Sequence, residues 1–160
     1  MWYRAALVIM ALAAAAAAQS KPFRYNGSVH AEGNMGVCVH GYAFGGAGGG
    51  GEVFLWKGLS LGARASGNTF SDYGPIGIFH GEIGYHAVDR SRERGADPFV
   101  SAGIGVASVG TGSNNSGASA SLGGGLNYWF NRHVALRMEG RIIAISSDGI
   151  FVFQIGAAFR

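Results

Sequence analysis

Hydrophobic and polar residues alternate along most of this chain, most sharply over Val134–Ile145. There V-A-L-R-M-E-G-R-I-I-A-I places Arg137, Glu139 and Arg141 two residues apart, with Leu136, Met138 and Ile142 on the other side. A period of two is the signature of a β-strand with one apolar and one ionised face. Glycine, proline and polar clusters cut the rest into similar segments, giving eight predicted strands at about 27–38, 46–56, 59–67, 76–87, 98–109, 118–130, 134–146 and 150–160. These lengths suit the ~9–11 residues of a tilted strand that crosses a bilayer. The connections at Lys57-Gly58 and Asn131-Arg132-His133 are tight, Ser147-Asp148-Gly149 is short, and Val88–Asp97 is longer and charged. With eight strands both termini lie at one end.

Parity assigns the faces. His30, Glu32 and Asn34 oppose Val29, Ala31, Met35 and Val37, and Arg64 with Ser60 and Ser66 opposes Leu59, Leu61, Ala63 and Ala65. His80, Glu82 and His86 oppose Phe79, Ile83 and Tyr85; Ser101, Gly103 and Gly105 oppose Ala102, Ile104 and Val106. Ser119, Ser121 and Asn127 oppose Ala120, Leu122, Leu126 and Tyr128, and Gln154 and Arg160 oppose Phe151, Phe153, Ile155 and Phe159. The second strand is the weak member, since Glu52 shares its parity with Phe54 and Trp56.

A soluble barrel alternates too, with its apolar side inward. Here the polar faces are mainly Gly, Ser and Ala with isolated charges, the small residues that a narrow eight-stranded interior accommodates. The strand charges also balance, Glu32, Glu52, Glu82 and Glu139 against Arg64, Arg137, Arg141 and Arg160. Paired ions are what a confined lumen demands, because an unpaired buried charge costs several kcal/mol. The pattern therefore predicts an all-β, eight-stranded antiparallel up-and-down transmembrane β-barrel, apolar toward lipid and polar toward its lumen. Its lumen network is expected to comprise Glu32, Glu52, Arg64, Glu82, Arg137, Glu139 and Arg141, with His30 and His80 as lumen histidines.

Composition agrees. Only 13% of residues are charged against 48% hydrophobic, about half the usual charged share of ~25%. The 29 glycines would suggest disorder if the alternation were not so regular. Arg4, the apolar run Ala5–Ala18 and the following Gln19-Ser20 have the form of a cleavable signal peptide, cut near Ala18. The expected organisation is a signal peptide at 1–18, a lead-in at 19–26 and the barrel at 27–160. After export, the end that carries the termini faces the periplasm. Aromatics collect at strand ends, as the interface girdles of membrane barrels require: Trp56, Tyr85, Phe99, Tyr128, Trp129, Phe130 and Phe159 at one, Tyr42, Phe44, Phe70 and Tyr73 at the other. A net charge of +3 without a basic cluster gives no case for nucleic acid, and a single cysteine, Cys38, excludes an internal disulfide.

The last strand, G-I-F-V-F-Q-I-G-A-A-F-R, resembles the terminal strand of bacterial outer-membrane barrels, which alternates apolar residues and ends on an aromatic. The segment 123–141, G-G-G-L-N-Y-W-F-N-R-H-V-A-L-R-M-E-G-R, resembles the sixth-to-seventh-strand hairpin of small OmpA/OmpX-type barrels, and 98–106, P-F-V-S-A-G-I-G-V, their fifth strand. The resemblance implies a bacterial outer-membrane location and a monomer in contact with outer-membrane lipid. It also implies biogenesis through periplasmic chaperones and the barrel assembly machinery, with Phe159 as the C-terminal signature, here followed by Arg160. No peptidoglycan-binding domain follows, so anchoring to the cell wall is not expected.

No residues demand a cofactor. The glycine run Gly45–Gly51 leads into Glu52-Val53-Phe54, a strand, and lacks the lysine of a phosphate-binding loop. His30, Glu32, His80 and Glu82 are a chemically sensible zinc set, yet they serve equally as hydrogen-bond partners of the arginines, and no metal is expected. A lipid-modifying enzyme would draw on Ser71, Asp72, His40 or His133, but no spacing specifies a catalytic group. Asp89–Asp97 mixes charge signs like a solvated turn, Asn114-Asn115-Ser116 has the form of a glycosylation acceptor, and Cys38 is expected as a small buried filler. The expected role is structural or surface-interacting, with a narrow channel or an outer-membrane enzyme as alternatives.

Overall fold

The structure, a computed structural model, describes residues 26–70, 74–87, 94–110, 116–145 and 148–160. The expected signal peptide, most of the lead-in, Ser71, Asp72, Tyr73, Asn114 and Asn115 lie outside the described residues.

Eight strands form one closed antiparallel barrel in sequence order: β1 (Gly27–Cys38), β2 (Ala43–Trp56), β3 (Leu59–Phe70), β4 (Gly74–His86), β5 (Gly95–Val109), β6 (Ser116–Trp129), β7 (Val134–Ile145) and β8 (Asp148–Phe159). Closure comes from β1 pairing with β8, from Val29 opposite Phe159 to Cys38 opposite Ile150. Every strand thus has two neighbours and no edge is left unpaired, which is the condition for a sheet to exist in hydrocarbon.

The faces follow parity. Val29, Met35, Leu61, Phe79, Ile83, Ile104, Leu122, Ile142, Phe153 and Ile155 stand on the exposed outer wall, while Ser28, His30, Glu32, Asn34, Arg64, His80, Asn127, Glu139, Arg141 and Gln154 are buried inside. A wall so apolar, around an interior so polar, is stable only when hydrocarbon replaces water outside.

Several sequence expectations need correction. Strands β2, β3, β5 and β6 are longer than their alternation suggests. β5 starts at Gly95, so Asp97 is buried inside the barrel and is not part of a solvated turn. Likewise β8 takes in Asp148 and Gly149, which the sequence suggested as a turn. In β2 the pairing shifts between Phe54 and Trp56. This β-bulge adds a residue and reverses parity, so Glu52 and Phe54 turn inward while Trp56 turns out, 67% exposed.

Four aromatics expected in the interface girdles also point inward: Phe44, Phe70, Phe99 and Trp129 are all buried. Two of them cover glycines directly opposite. Phe44 pairs with Gly36, where an added Cβ would lie 2.5 Å from the Phe44 ring. Phe99 pairs with Gly125, where it would lie 2.8 Å from the Phe99 ring. Inward glycines leave room on the narrow lumen wall, and large rings fold into it.

A closed barrel with this many inter-strand bonds resists SDS. Unboiled protein extracted from membranes is expected to migrate differently from boiled protein on SDS gels; identical mobility would argue against the closed barrel.

Candidate functional site

The lumen is the only part of the described molecule where chemistry-bearing side chains converge, and it is arranged in layers. At the end away from the termini, Phe44, Phe70, Ile76, Ile78, Ala107, Ile143, Ile150 and Val152 pack into an apolar cap, with Cys38 and Ile145 against it. The Phe44 and Phe70 rings lie 4.7 Å apart. In these stretches both faces of the strand are apolar, as at Ile142-Ile143 and Phe151-Val152, so alternation alone does not reveal which side faces in.

Beneath the cap lies a layer of neutral polar side chains. Gln154 donates to Asn34 at 2.9 Å, Asn34 donates to Asn68 at 3.1 Å, and Asn68 reaches Ser66 at 3.3 Å. Across the lumen, His80 lies between Ser119 (2.9 Å) and Ser121 (3.3 Å).

The central layer is ionic. Glu139, on β7, accepts from all three lumen arginines: Arg64 at 2.7 Å and Arg137 at 2.9 Å on Oε2, and Arg141 at 2.5 Å on Oε1. Arg64, from β3, also meets Glu32 at 2.8 Å and Glu82 at 3.4 Å, and donates to Gln154 Oε1. Arg141 continues to Glu82 at 2.6 Å and to the hydroxyls of Ser121 and Ser101 at 2.8 and 2.9 Å. Arg137 approaches Glu32 at 3.7 Å, donates to Asn127 at 3.3 Å and lies 4.0 Å over the Phe99 ring. Three guanidinium groups thus face three carboxylates, and Glu139 and Arg141 are each only 1% exposed. The Glu32–Arg64 contact is an ion pair by distance without hydrogen-bond alignment.

Glycine makes this density possible. At Gly123 a Cβ would lie 2.5 Å from Glu139 Oε1 and 3.2 Å from Arg141 Nε. At Gly84 it would lie 2.5 Å from the Ser60 hydroxyl. The inward glycines therefore occupy the positions against which the long ionised side chains rest.

Toward the termini lies a second cluster. Glu52 stands apart from the arginine layer: it accepts from Ser28 at 2.8 Å and contacts His86 Nε2 at 3.0 Å. The other ring nitrogen of His86 lies 3.1 Å from Asp97, which also accepts from the Trp129 indole at 3.4 Å. The imidazole packs against Phe54 edge-on and Phe99 face-on, at 5.0 and 5.3 Å between centroids. Arg160 closes this end, its guanidinium 4.1 Å over the Trp129 ring and its Nε donating to the Arg132 carbonyl at 2.6 Å. Of this cluster, sequence reasoning singled out Glu52 and put His86 on the polar face but missed Asp97 and Trp129. Parity counted back from Ser101 through Phe99 would have found Asp97.

The lumen histidines are both buried, but apart. His80 belongs to the serine pair described above. His30 lies 4.0 Å from Glu32, and neither of its ring nitrogens has a hydrogen-bond partner in the protein. It borders a cavity of about 20 Å³ shared with Glu52, Ser60, Glu82, His86 and Arg137, room for about one water. A second cavity of about 10 Å³ adjoins Arg64, Asn68, His80 and Gln154. Among the described residues, no three His, Cys, Asp or Glu side chains are placed to hold a metal ion. Of the residues considered for catalysis, the two that are described lie at opposite ends: His40 pairs with Asp148 at 3.7 Å on one exposed rim, and His133 contacts the Arg160 carbonyl on the other.

Comparison with known proteins returned one family model, the outer membrane protein beta-barrel domain, matching residues 5–160. No curated protein matches the chain. Among solved structures, Neisserial surface protein A is 12% identical, with a TM-score of 0.68 over 83% of this chain and 96% of that one. The N-terminal β-barrel domain of Pseudomonas aeruginosa OprF is 22% identical, with a TM-score of 0.58 over 82% and 96%. The outer membrane enzyme PagL is 15% identical, with a TM-score of 0.60 over 82% and 99%. At these identities the likeness is one of fold.

Removing Glu139 leaves three buried guanidinium groups without their shared carboxylate. Glu139→Ala is expected to lower unfolding stability in detergent or lipid by about 3–5 kcal/mol, the range for breaking a buried pair. Gly123→Val, which pushes a branched side chain toward the same carboxylate, is expected to cost about 1–3 kcal/mol. Denaturant titration of refolded barrels measures both.

Proposed function

Because the chain belongs to the outer membrane protein β-barrel domain family and resides in the bacterial outer membrane, we propose that it is a non-conducting structural barrel that carries surface-exposed connections, without catalytic activity. The filled lumen is the observation that supports this reading. An apolar cap, an amide layer, a neutral arginine–glutamate layer and the His86 cluster succeed one another along the axis, and the cavities beside His80 and His30 measure about 10 and 20 Å³. An ion crossing this barrel would have to displace Glu139 from three arginines and then pass between the Phe44 and Phe70 rings. The eight-stranded diameter leaves no space for a water-filled path beside them.

In this reading the lumen network serves stability and the partners are those of any such barrel. They are outer-membrane lipid around the wall, with periplasmic chaperones and the assembly machinery meeting Phe159 during biogenesis, and the protein acts as a monomer. One fold neighbour is described as an outer membrane enzyme, so catalysis is the reading to test against. The pairing of His40 with Asp148 at 3.7 Å, both side chains well exposed, supports a rim contact more than a catalytic group.

Purified protein in planar bilayers is expected to give no discrete conductance steps. Steps whose size changes with Arg137→Gln would establish a channel instead. Lipid mass spectrometry after overexpression is expected to show unchanged acylation; a change abolished by substituting His40 or Ser71 would establish an enzyme.

A further inference from the structure

His30 is a buried polar side chain that neither lumen cluster takes up. The residue is only 8% exposed, and neither ring nitrogen meets a hydrogen-bond partner among the described residues. Its Nε2 lies 4.0 Å from Glu32, beyond hydrogen-bond reach. Arg137, from β7, shares the condition at one atom: its Nε is buried, with Glu32 at 3.7 Å and no aligned acceptor among the described residues. A buried donor or acceptor left in this way forfeits the hydrogen bonds that it had with water.

Both residues stand on the wall of one chamber of about 20 Å³. Glu52 and His86 reach it from the mouth cluster, Glu82 and Ser101 from the arginine layer. Glycine keeps it open: at Gly84, also on its wall, a Cβ would lie 2.5 Å from the Ser60 hydroxyl and 3.7 Å from Glu52 Oε2. The lining mixes charge signs, which limits what the chamber can take. A cation there would meet the Arg137 guanidinium, and an anion would meet the carboxylates of Glu52 and Glu82. These carboxylates already have partners, Glu52 in Ser28 and His86, Glu82 in Arg141. The ligand that suits such a wall is neutral, very small, and both a donor and an acceptor.

We propose that this chamber is a binding site for a single water molecule, held by a His30 ring nitrogen and by Arg137 Nε. The size matches, since a space of ~10–15 Å³ or more on this measure admits one water, and a fixed water takes about two to four polar partners. His30 and Arg137 supply two of them, and the Ser101 hydroxyl and a Glu52 oxygen border the same space. The molecule accepts from Arg137 and exchanges a hydrogen bond with His30. It thereby joins the mouth cluster of Glu52, His86 and Asp97 to the arginine layer, two networks that otherwise stand apart. His30 is then a positioning residue for this water, which accounts for an imidazole buried in a lumen whose direct contacts do not use it.

Crystals of the full barrel grown in sodium chloride and in rubidium bromide test the site, because rubidium and bromide scatter anomalously and water does not. In both salts the wild type is expected to show one peak within about 2.6–3.2 Å of a His30 ring nitrogen and of Arg137 Nε, without anomalous signal. His30→Phe, which keeps the ring and removes its nitrogens, is expected to cut the occupancy of that peak at least twofold. His30→Gln, which keeps a polar end, is expected to retain it. The heat shift of each variant on SDS gels shows whether its barrel has closed, so that a lost peak reports the site and not misfolding. An anomalous peak in the chamber, a wild-type chamber without density, or full occupancy in a closed His30→Phe barrel would overturn the assignment.

Discussion

Glu139 accepts hydrogen bonds from three guanidinium groups at once, and the interior is organised around keeping that arrangement neutral. Inside a ring of eight strands there is little water to solvate an ion and no space for one to swing away. Each carboxylate has to find its cation at contact distance, and the remaining donors have to find hydroxyls or amides. Ser101, Ser121, Asn127 and Gln154 take up those remaining donors. Gly50, Gly123, Gly125 and Gly156, directly opposite Arg64, Arg141, Glu139 and Arg137, give the long side chains somewhere to lie. Arginine suits the task because its planar fork donates in several fixed directions, so one side chain can bridge two or three acceptors.

The ionic layer in turn sets what the two ends of the lumen must be. Toward the surface end the apolar cap shuts out water that would weaken the ion pairs. Toward the termini, His86 between Glu52 and Asp97, covered by Phe54, Phe99 and Trp129, fills the mouth with a second polar cluster under aromatic cover. The outer wall answers to a different solvent, and the two requirements meet at every strand through the alternation of successive side chains.

That alternation explains how much was legible beforehand. Where inward residues are ionised or small and outward ones apolar, as along Val134–Ile142 or Val29–Met35, the sequence yields strand, face and lumen placement together. It is silent where both faces are apolar, so the inward turn of Ile143, Ile150 and Val152 emerges only from pairing. It misleads where a bulge resets parity, so that Trp56 faces out although Glu52, four residues earlier, faces in. Phe44 and Phe99 were hidden for a subtler reason. An aromatic at a strand end reads as an interface residue until one knows that Gly36 or Gly125 stands directly across from it, and register is a property of two strands that no single segment reveals.

The distribution of charge among the strands bears on the order in which the barrel can assemble. The inward faces of β1 to β4 bring Glu32, Glu52 and Glu82 against Arg64 alone, and the arginines that meet Glu32 and Glu82 from the far wall arrive only with β7. Arg64 and Glu139 are 75 residues apart in the chain. The half made of β1 to β4 is therefore not electrically complete by itself, and a sheet built only that far would carry unbalanced ions into hydrocarbon. Hairpins cannot enter the bilayer one after another at leisure. Membrane entry and closure of β1 on β8 are thereby coupled, because Glu32 and Glu82 find their second arginines, Arg137 and Arg141, only when the wall that carries β7 comes round to meet them.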